Sequence, residues 1–221
     1  TNSWTNGALS ILLSLNLKKD DEIIVPANTF VACANIVEII GCKLVLADID
    51  EKTKLLSIKD TIKKITKKTK VIMPVHIYGN VFRTDILKNK IRKNILILED
   101  CAHCFSGFYN NKLIGSLSDF AVFSFYATKN ITTGEGGGII LNNKKFYESI
   151  RVLSNNGMDK SALKRFENKK FQHWDVTKVG IKGSMSDIKA SLLTSQIKKY
   201  NKKLNKRKKI FDKFYKKLSS I

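Results

Sequence analysis

Short apolar runs alternate with amphipathic segments through most of the chain. Runs with the length and composition of buried strands stand at 22–25, 43–48, 70–75, 95–98, 119–125 and 138–141. Helical patterns occupy 1–17, 31–40, 58–65, 85–91 and 146–153. Because strands and helices take turns in this way, we predict an α/β fold. It would have a mostly parallel sheet, helices on both faces, and a ligand at the carboxyl ends of the strands.

The pattern changes after residue 153. Residues 155–182 are polar, carry scattered aromatic side chains and lack a clear period, which predicts a mobile or partner-facing loop. From Ser186 onward, one long helical pattern with many lysines favours a solvated helix face. We therefore divide the chain into a large domain, 1–185, and a lysine-rich helix, 186–221. Since the chain starts at Thr1 and stops within the helical pattern, we expect an N-terminally incomplete large domain and a largely absent C-terminal domain.

The composition indicates one well-buried domain and argues against two other classes of protein. No apolar run approaches the ~20 residues of a membrane span, so we expect no membrane association. The formal net charge is +21, but the 40 basic residues are 35 lysines and five arginines. Because specific recognition of bases and phosphates favours arginine, we expect no specific nucleic-acid partner.

One lysine stands between an apolar strand and a glycine-rich turn. Lys129 follows the strand predicted at 119–125 and precedes residues 134–138, which read Gly-Glu-Gly-Gly-Gly. Asp100 follows another predicted strand, so an amine and a carboxylate are expected at one edge of the sheet. Pyridoxal phosphate chemistry requires such a pair, because a lysine forms the Schiff base and an aspartate keeps the pyridine nitrogen protonated.

The four cysteines suggest a second chemistry. They are too few for a disulfide scaffold, which makes a reducing cytoplasm the expected location. Cys33 and Cys42 fall in apolar segments and are interpreted as small buried hydrophobic residues. Cys101 and Cys104 form a C-x-x-C pattern around His103, as in thiol oxidoreductases. This alternative leaves the lysine and the glycine turn unexplained, and the preceding carboxylate disfavours a thiolate.

Five segments of the chain carry motifs that occur together in one family. They are 2–9, 26–32, 74–79 (Pro-Val-His-Ile-Tyr-Gly), 99–103 (Glu-Asp-Cys-Ala-His) and 123–137, with Thr-Lys-Asn at 128–130 and Gly-Glu-Gly-Gly at 134–137. In order and spacing, over essentially the whole chain, they resemble the DegT/DnrJ/EryC1/StrS family of pyridoxal-phosphate-dependent nucleotide-sugar aminotransferases. The resemblance implies the large domain of a fold type I pyridoxal-phosphate-dependent transferase.

The resemblance also implies roles for individual residues. Lys129 matches the family's Schiff-base lysine and proton carrier, and Asp100 matches the aspartate that pairs with the pyridine nitrogen. These two are the expected catalytic residues. His103 stands where relatives carry a Gln or His that hydrogen-bonds the ring hydroxyl. Phe30 occupies the aromatic position that stacks on the cofactor ring.

The expected phosphate ligands lie at the opening of the first helix. Thr5 and Asn6 would offer backbone donors and the positive end of a helix dipole, and Ser124 would add a hydroxyl. Ser184 departs from the family pattern, because relatives often carry Asn there. It is expected to reach the cofactor phosphate of a neighbouring subunit, and the change from Asn puts that contact in question.

The resemblance implies transamination of a nucleotide-linked keto-sugar, with glutamate as amino donor, in amino-sugar and surface-polysaccharide synthesis. It also implies a homodimer with shared active sites. His76 and Tyr78 are expected to shape the pocket wall, and no metal site is expected. One further alternative stays open, a truncated homologue that binds pyridoxal phosphate without turnover.

Overall fold

A computed structural model describes residues 1–160, 165 and 170–219 of the chain. The strands are β1 (Glu22–Pro26), β2 (Lys43–Ala47), β3 (Thr69–Ile72), β4 (Leu96–Asp100), β5 (Phe108–Tyr109), β6 (Lys112–Leu113), β7 (Phe120–Ser124) and β8 (Gly137–Leu141). Six of them form one sheet in the order β2-β1-β3-β4-β7-β8, and β5 and β6 form a separate hairpin. The neighbouring strands from β2 to β7 pair in parallel, and β8 is antiparallel to β7.

The helices connect these strands. They are α1 (Trp4–Ser14), α2 (Ala32–Ile39), α3 (Ile58–Lys64), α4 (Thr84–Lys88), α5 (Tyr147–Leu153), α6 (Asp187–Lys198) and α7 (Tyr200–Leu218), with single 3₁₀ turns at Ile77–Gly79 and Lys144–Phe146. Every strand and helix predicted between residues 1 and 153 is present, with ends shifted by a few residues. The mostly parallel α/β sheet that the alternation predicts is therefore confirmed.

The centre of the sheet is buried because helices cover its strands. Ile23, Ile24 and Val25 of β1 have no exposed surface, which explains why this strand is apolar throughout instead of alternating. α1 packs on β7 and β8, and α2 packs on β1 and β2. Since β4 and β7 are parallel neighbours, Asp100 and Ser124 at their carboxyl ends point to the same edge of the sheet. This edge is where the parallel topology predicts a ligand.

The C-terminal helical pattern differs from the prediction. The single long helix expected from residue 186 is wrong, because α6 ends at Lys198 and α7 begins at Tyr200. The break falls at Lys199, whose ψ of 1° departs from helical geometry. We call α6 and α7 together the helical arm. None of the helices described is both long and apolar enough to cross a bilayer.

The irregular segment predicted at 155–182 lies partly outside the described residues. Within the described part, it is joined to itself by two isolated bridges, between Asn155 and Lys182 and between Met158 and Val176. Asn2 also donates its backbone N–H to the Gly183 carbonyl at 2.8 Å. The segment that precedes the helical arm therefore lies against the start of the chain.

The glycine-rich turn before β8 contacts the N-terminus of the chain directly. Gly137 accepts a hydrogen bond from the Thr1 amino group at 2.9 Å and donates its N–H to the Thr1 carbonyl at 2.8 Å. A Cβ atom on Gly137 would lie 2.6 Å from the backbone carbonyl of Ser3. Only glycine fits this close approach, which brings the first turn of α1 to the carboxyl edge of the sheet.

We expect Gly137→Ala to lower the free energy of unfolding by about 3 kcal/mol, because the added methyl group meets backbone atoms that cannot rotate away. The matched control is Gly134→Ala in the same turn. Gly134 has a φ of +78°, but the space that a Cβ atom would occupy there is open. Its substitution should cost about 1 kcal/mol of left-handed backbone strain. Urea unfolding of both variants checks the order, and equal losses would contradict the close-approach explanation.

Candidate active site

A cavity of about 480 Å³ opens at the carboxyl edge of the sheet, and we call it the main cavity. The start of α1, the loop before α2, the ends of β4 and β7, and the glycine-rich turn form its wall. A side cavity of about 470 Å³ shares the segments around His103, Ser124 and Lys129. The structure therefore brings residues from distant parts of the sequence to one ligand-sized space.

Asp100 is a buried carboxylate in the wall of the main cavity. Its Oδ1 accepts the backbone N–H of Ala102 at 2.8 Å, and its Oδ2 accepts the Cys33 thiol at 3.3 Å. Burial raises the pKa of Asp100 above its ordinary value, and the hydrogen bonds and nearby histidines offset only part of that effect. Within the described part of the chain, no basic side chain forms an ion pair with it. A cation placed in the cavity would therefore stabilise the ionised form.

Lys129 lies on the turn that follows β7 and lines both cavities. Its backbone N–H donates to the Tyr126 carbonyl at 3.0 Å, which closes the turn. Burial lowers the pKa of Lys129, and the attraction of Asp100 offsets part of the change. A lower pKa leaves more of the amine unprotonated near neutral pH, and only the unprotonated amine is a nucleophile. The structure brings this lysine and this carboxylate to one cavity, and their catalytic roles stay predictions.

His103 also lines both cavities. Its ring stacks on that of Tyr78 with a centroid distance of 5.8 Å, and its Nδ1 accepts the Tyr78 backbone N–H at 3.3 Å. Burial lowers the pKa of His103, and the charge of Lys129 lowers it further. The ring is therefore neutral near pH 7, with its proton on Nε2. A neutral ring of this kind can donate a hydrogen bond to a ligand oxygen, as predicted for the cofactor hydroxyl.

The first turn of α1 forms one end of the main cavity. Thr5 lines the cavity, and so does Ser124 from the end of β7. The first amides of a helix lack intrahelical partners and carry the positive end of its dipole, which suits an anionic group. Asn6 does not line the cavity. Its backbone N–H donates to the capping hydroxyl of Ser3 at 3.1 Å, and its side chain donates to Asn2 at 2.8 Å.

Two other predicted cofactor residues are exposed. Phe30 lines the main cavity from the loop before α2 and has 72% of its surface exposed. Ser184 is exposed and lies outside the main cavity of its own subunit. It follows Gly183, which binds the backbone of Asn2 beside α1. Its contact with a neighbouring subunit stays a prediction.

His76 lies behind the cavity wall, so its predicted place on the wall is wrong. The ring is fully buried, and its Nδ1 accepts the Phe82 N–H at 3.0 Å. Val75 and Ile77 line the main cavity instead. The 3₁₀ turn begins directly after His76, and the two flanking residues reach the cavity while the histidine ring is buried. Tyr78, the other predicted wall residue, lines the side cavity.

Behind this wall, His76, Glu99 and Cys101 bring ligand-type atoms within 4.8 Å of one another. Because Nδ1 of His76 accepts a hydrogen bond, the ring carries a proton on Nε2, which lies 3.8 Å from Glu99. A protonated nitrogen cannot ligate a metal. Glu99 already accepts the Thr84 hydroxyl and the Gly115 N–H. We interpret the cluster as a hydrogen-bonding centre that joins the end of β4 to neighbouring loops.

The C-x-x-C thiols lack the environment that activates cysteine. Cys101 and Cys104 are both buried. Burial raises the pKa of both thiols, and the negative charge of Glu99 raises each further. The thiolate is the reactive form, so few of these sulfurs are reactive near neutral pH. The geometry therefore gives no support to the thiol oxidoreductase alternative.

Sequence reasoning missed Cys33 as part of the site. Its sulfur lies 3.3 Å from both the Thr29 hydroxyl and an Asp100 oxygen. The available signal was its position four residues after Thr29, at the start of α2 and beside the Phe30 loop. A cysteine in an apolar helix nevertheless resembles a core residue. Its contact with Asp100 joins positions 67 residues apart, which local patterns do not encode.

Comparison with solved structures identifies the class of fold. Spr1654 from Streptococcus pneumoniae, described as a sugar aminotransferase, superposes with a TM-score of 0.86 at 32% identity, over 97% of this chain and 59% of that chain. It has been solved in PMP, PLP and apo forms. The chain has the fold of type I pyridoxal-phosphate aminotransferases, and pyridoxal phosphate is the cofactor of this class.

Comparison of sequences identifies the family. Residues 1–221 match the DegT/DnrJ/EryC1/StrS aminotransferase family, and the chain belongs to it. MJ1066, an uncharacterised protein of Methanocaldococcus jannaschii, is 38% identical over 90% of this chain and 52% of its own length. The GDP-perosamine synthase of Escherichia coli O157:H7 is 32% identical over 98% of this chain and 58% of its own length. The chain thus spans somewhat more than half the length of these relatives.

The residues around the main cavity fit pyridoxal phosphate chemically. Asp100 is a buried carboxylate that a cationic ring nitrogen would neutralise. Lys129 is an amine with a lowered pKa, as attack on an aldehyde requires. The first turn of α1 suits the phosphate, and Phe30 offers an aromatic face. These groups surround one cavity, although they come from four separate segments of the chain.

We expect Cys101 and Cys104 to react with a thiol reagent at pH 8 at least about 100-fold more slowly in the folded protein than in urea, because both are buried and their pKa values are raised. Alkylation followed by mass spectrometry of the peptides measures each rate. The same peptides in the unfolded chain are the control. Fast modification of either thiol in the folded protein would contradict this description of the site.

Proposed function

We propose that the protein transfers an amino group to a keto-sugar carried on a nucleotide, with pyridoxal phosphate as cofactor. The observation that supports this most strongly is that Lys129 and Asp100, with complementary charges, line the same cavity at the carboxyl edge of the sheet. Bound there, the cofactor would supply an aldehyde that carries the amino group and a protonated ring that withdraws electrons from the reacting carbon.

Three side chains of the protein would hold the cofactor ring. Asp100 would accept the ring N–H, while the Ala102 amide and the Cys33 thiol keep its carboxylate oriented. The neutral His103 would donate from Nε2 to the ring hydroxyl. Phe30 would cover one face of the ring. Together these contacts fix the plane of the ring and the charge on its nitrogen.

The phosphate would lie against the first turn of α1. The first turn of α1, with Thr5, would provide backbone donors and a positive dipole end, and the Ser124 hydroxyl would add a donor. Asn6 would contribute indirectly, through its hydrogen bond to the Ser3 cap. The sequence analysis expected Asn6 to bind the phosphate directly, whereas here Asn6 would only support the helix cap.

Lys129 would act twice. Its unprotonated Nζ would hold the cofactor, and the same nitrogen, when free, would accept a proton from the substrate carbon. Both steps need an amine that is not permanently charged. Burial lowers the pKa of Lys129, which favours the unprotonated amine.

The substrate class and assembly are proposals by analogy with relatives. A GDP-perosamine synthase among the relatives is named for a product linked to a nucleotide, which supports a nucleotide-linked keto-sugar as acceptor. Glutamate as the amino donor, a homodimer with shared sites and a cytoplasmic location stay predictions. Ser184 would be the residue that reaches the neighbouring subunit's phosphate, since it is exposed beside α1.

We expect Lys129→Ala to abolish the visible absorbance of the protein loaded with pyridoxal phosphate, because that band requires the covalent link. Lys112→Ala, which removes an exposed lysine from β6, should leave the absorbance unchanged. After borohydride reduction, mass spectrometry should find the cofactor on the peptide that contains Lys129. A full visible band in the Lys129→Ala protein would refute the assignment.

The reaction itself is tested with a panel of keto-sugar nucleotides and several amino donors. We expect glutamate to convert at least one member of the panel to an aminated sugar nucleotide, detected by mass, and Lys129→Ala to stop the conversion. A visible band without turnover of any acceptor would instead favour a homologue that binds the cofactor but does not transfer. Turnover that survives in Lys129→Ala would exclude the proposed mechanism.

A further inference from the structure

The helical arm contacts the loop that carries Lys129. Gln196 of α6 forms a two-way pair with the backbone of Thr132: its Oε1 accepts the Thr132 N–H at 3.0 Å, and its Nε2 donates to the Thr132 carbonyl. The side-chain amide thus binds the backbone N–H and the backbone C=O of one residue, as the backbone of a paired β-strand does. Thr132 lies three residues after Lys129 and also donates its hydroxyl to the Phe125 carbonyl at 3.0 Å.

Arg207 of α7 makes a second contact with the same loop. One guanidinium nitrogen donates to the Asn130 side chain at 3.0 Å, and the other donates to the Asn130 backbone carbonyl at 3.4 Å. Asn130 directly follows Lys129. Residues 206–209 read Lys-Arg-Lys-Lys, and Arg207 is the arginine of an otherwise lysine-rich arm. The planar fork of arginine can bind two acceptors at once, which a lysine cannot do with fixed geometry.

A third contact anchors the arm beside the other side-cavity segment. Tyr200, at the junction of α6 and α7, is buried, and its hydroxyl hydrogen-bonds Ser106 at 2.8 Å. Its ring packs edge-on against Phe105 at a centroid distance of 5.0 Å. Phe105 lines the side cavity two residues after His103. The arm therefore touches the two chain segments that bring His103 and Lys129 to the side cavity.

The loop after Lys129 is also held by contacts that do not involve the arm. The turn itself provides the hydrogen bond from Lys129 to Tyr126, and Thr133 donates its N–H to the Phe125 carbonyl at 2.9 Å. Between these two bonds, Ile131 is buried in the core and the Thr132 hydroxyl binds the Phe125 carbonyl. The contacts with Asn130 and with the backbone of Thr132 come from the arm. A flexible lysine side chain reaches a fixed point only if its backbone is held, and small misplacements of a reacting group are costly to the rate.

We propose that Gln196 and Arg207 are positioning residues that hold the loop after Lys129, so that the amine is presented to the main cavity. This inference rests on the proposed function only in naming the lysine's task. It makes the helical arm part of the catalytic apparatus, although the arm touches neither Asp100 nor the main cavity. Any displacement of the arm would be transmitted to the lysine through these two side chains.

The test uses Gln196→Ala, Arg207→Ala and the double variant. In cofactor-free protein, we expect hydrogen exchange of the amides of residues 129–133 to become about tenfold faster in the double variant, as expected for the loss of a small set of exposed hydrogen bonds. Exchange in β4 should stay unchanged. On addition of pyridoxal phosphate, the visible band should develop more slowly, by a similar factor. Arg207→Lys should restore part of the effect, since it keeps the charge but loses the fork.

Two control variants separate positioning from general effects. Lys208→Ala removes the same charge from the next position of α7, and Ser195→Ala changes the residue before Gln196 without removing a contact to the loop. Unchanged loop exchange in the double variant would overturn the proposal, and so would equal acceleration in the controls. The exchange measurement needs no cofactor. If Lys129→Ala shows that another lysine is linked to the cofactor, the proposed function fails while the restraint on the loop is still measured.

Discussion

The site depends on a buried carboxylate, Asp100, that forms no ion pair with a basic side chain of the described residues. Asp100 is fixed at the end of β4 by strand pairing, and its oxygens are held by one amide and one thiol. Burial of this kind is unfavourable for a charge unless a cation joins it. The buried Asp100 carboxylate therefore favours the binding of a positively charged group in the main cavity. A protonated pyridine ring would be such a group.

The same cavity lowers the pKa of Lys129, whereas it raises the pKa of Asp100. Burial disfavours its charged form, while the attraction of Asp100 favours it, and the first effect is the larger. Burial in the same cavity therefore favours the unprotonated amine of Lys129 and makes a bound cation favourable beside Asp100. Burial also lowers the pKa of His103, and the attraction of Asp100 opposes that effect. The three groups come from two adjacent strand ends, so the parallel pairing of β4 and β7 sets their relation.

Support for this arrangement comes from contacts that lie outside the cavity. Gly137 lets the chain's first residues approach β8 and brings the first turn of α1 to the cavity. Glu99 accepts hydrogen bonds from Thr84 and Gly115 and fixes the end of β4 from behind. Gln196 and Arg207 reach the loop after Lys129 from the helical arm. The arm, which by sequence alone resembles a solvated helix, is thereby connected to the lysine.

The sequence alone predicted the alternation of strands and helices, and it placed Lys129 and Asp100 at the carboxyl edge of the sheet. These features follow from local patterns and from residues next to strand ends, where a parallel topology fixes the geometry. Only the tertiary structure decided that Cys33 holds Asp100, that His76 faces away from the cavity, and that α6 and α7 are separate helices. Each of these depends on contacts between distant residues or on the side to which one residue points. Hydrophobic periodicity does not carry that information, because a buried ligand of Asp100 and an ordinary core residue have the same pattern.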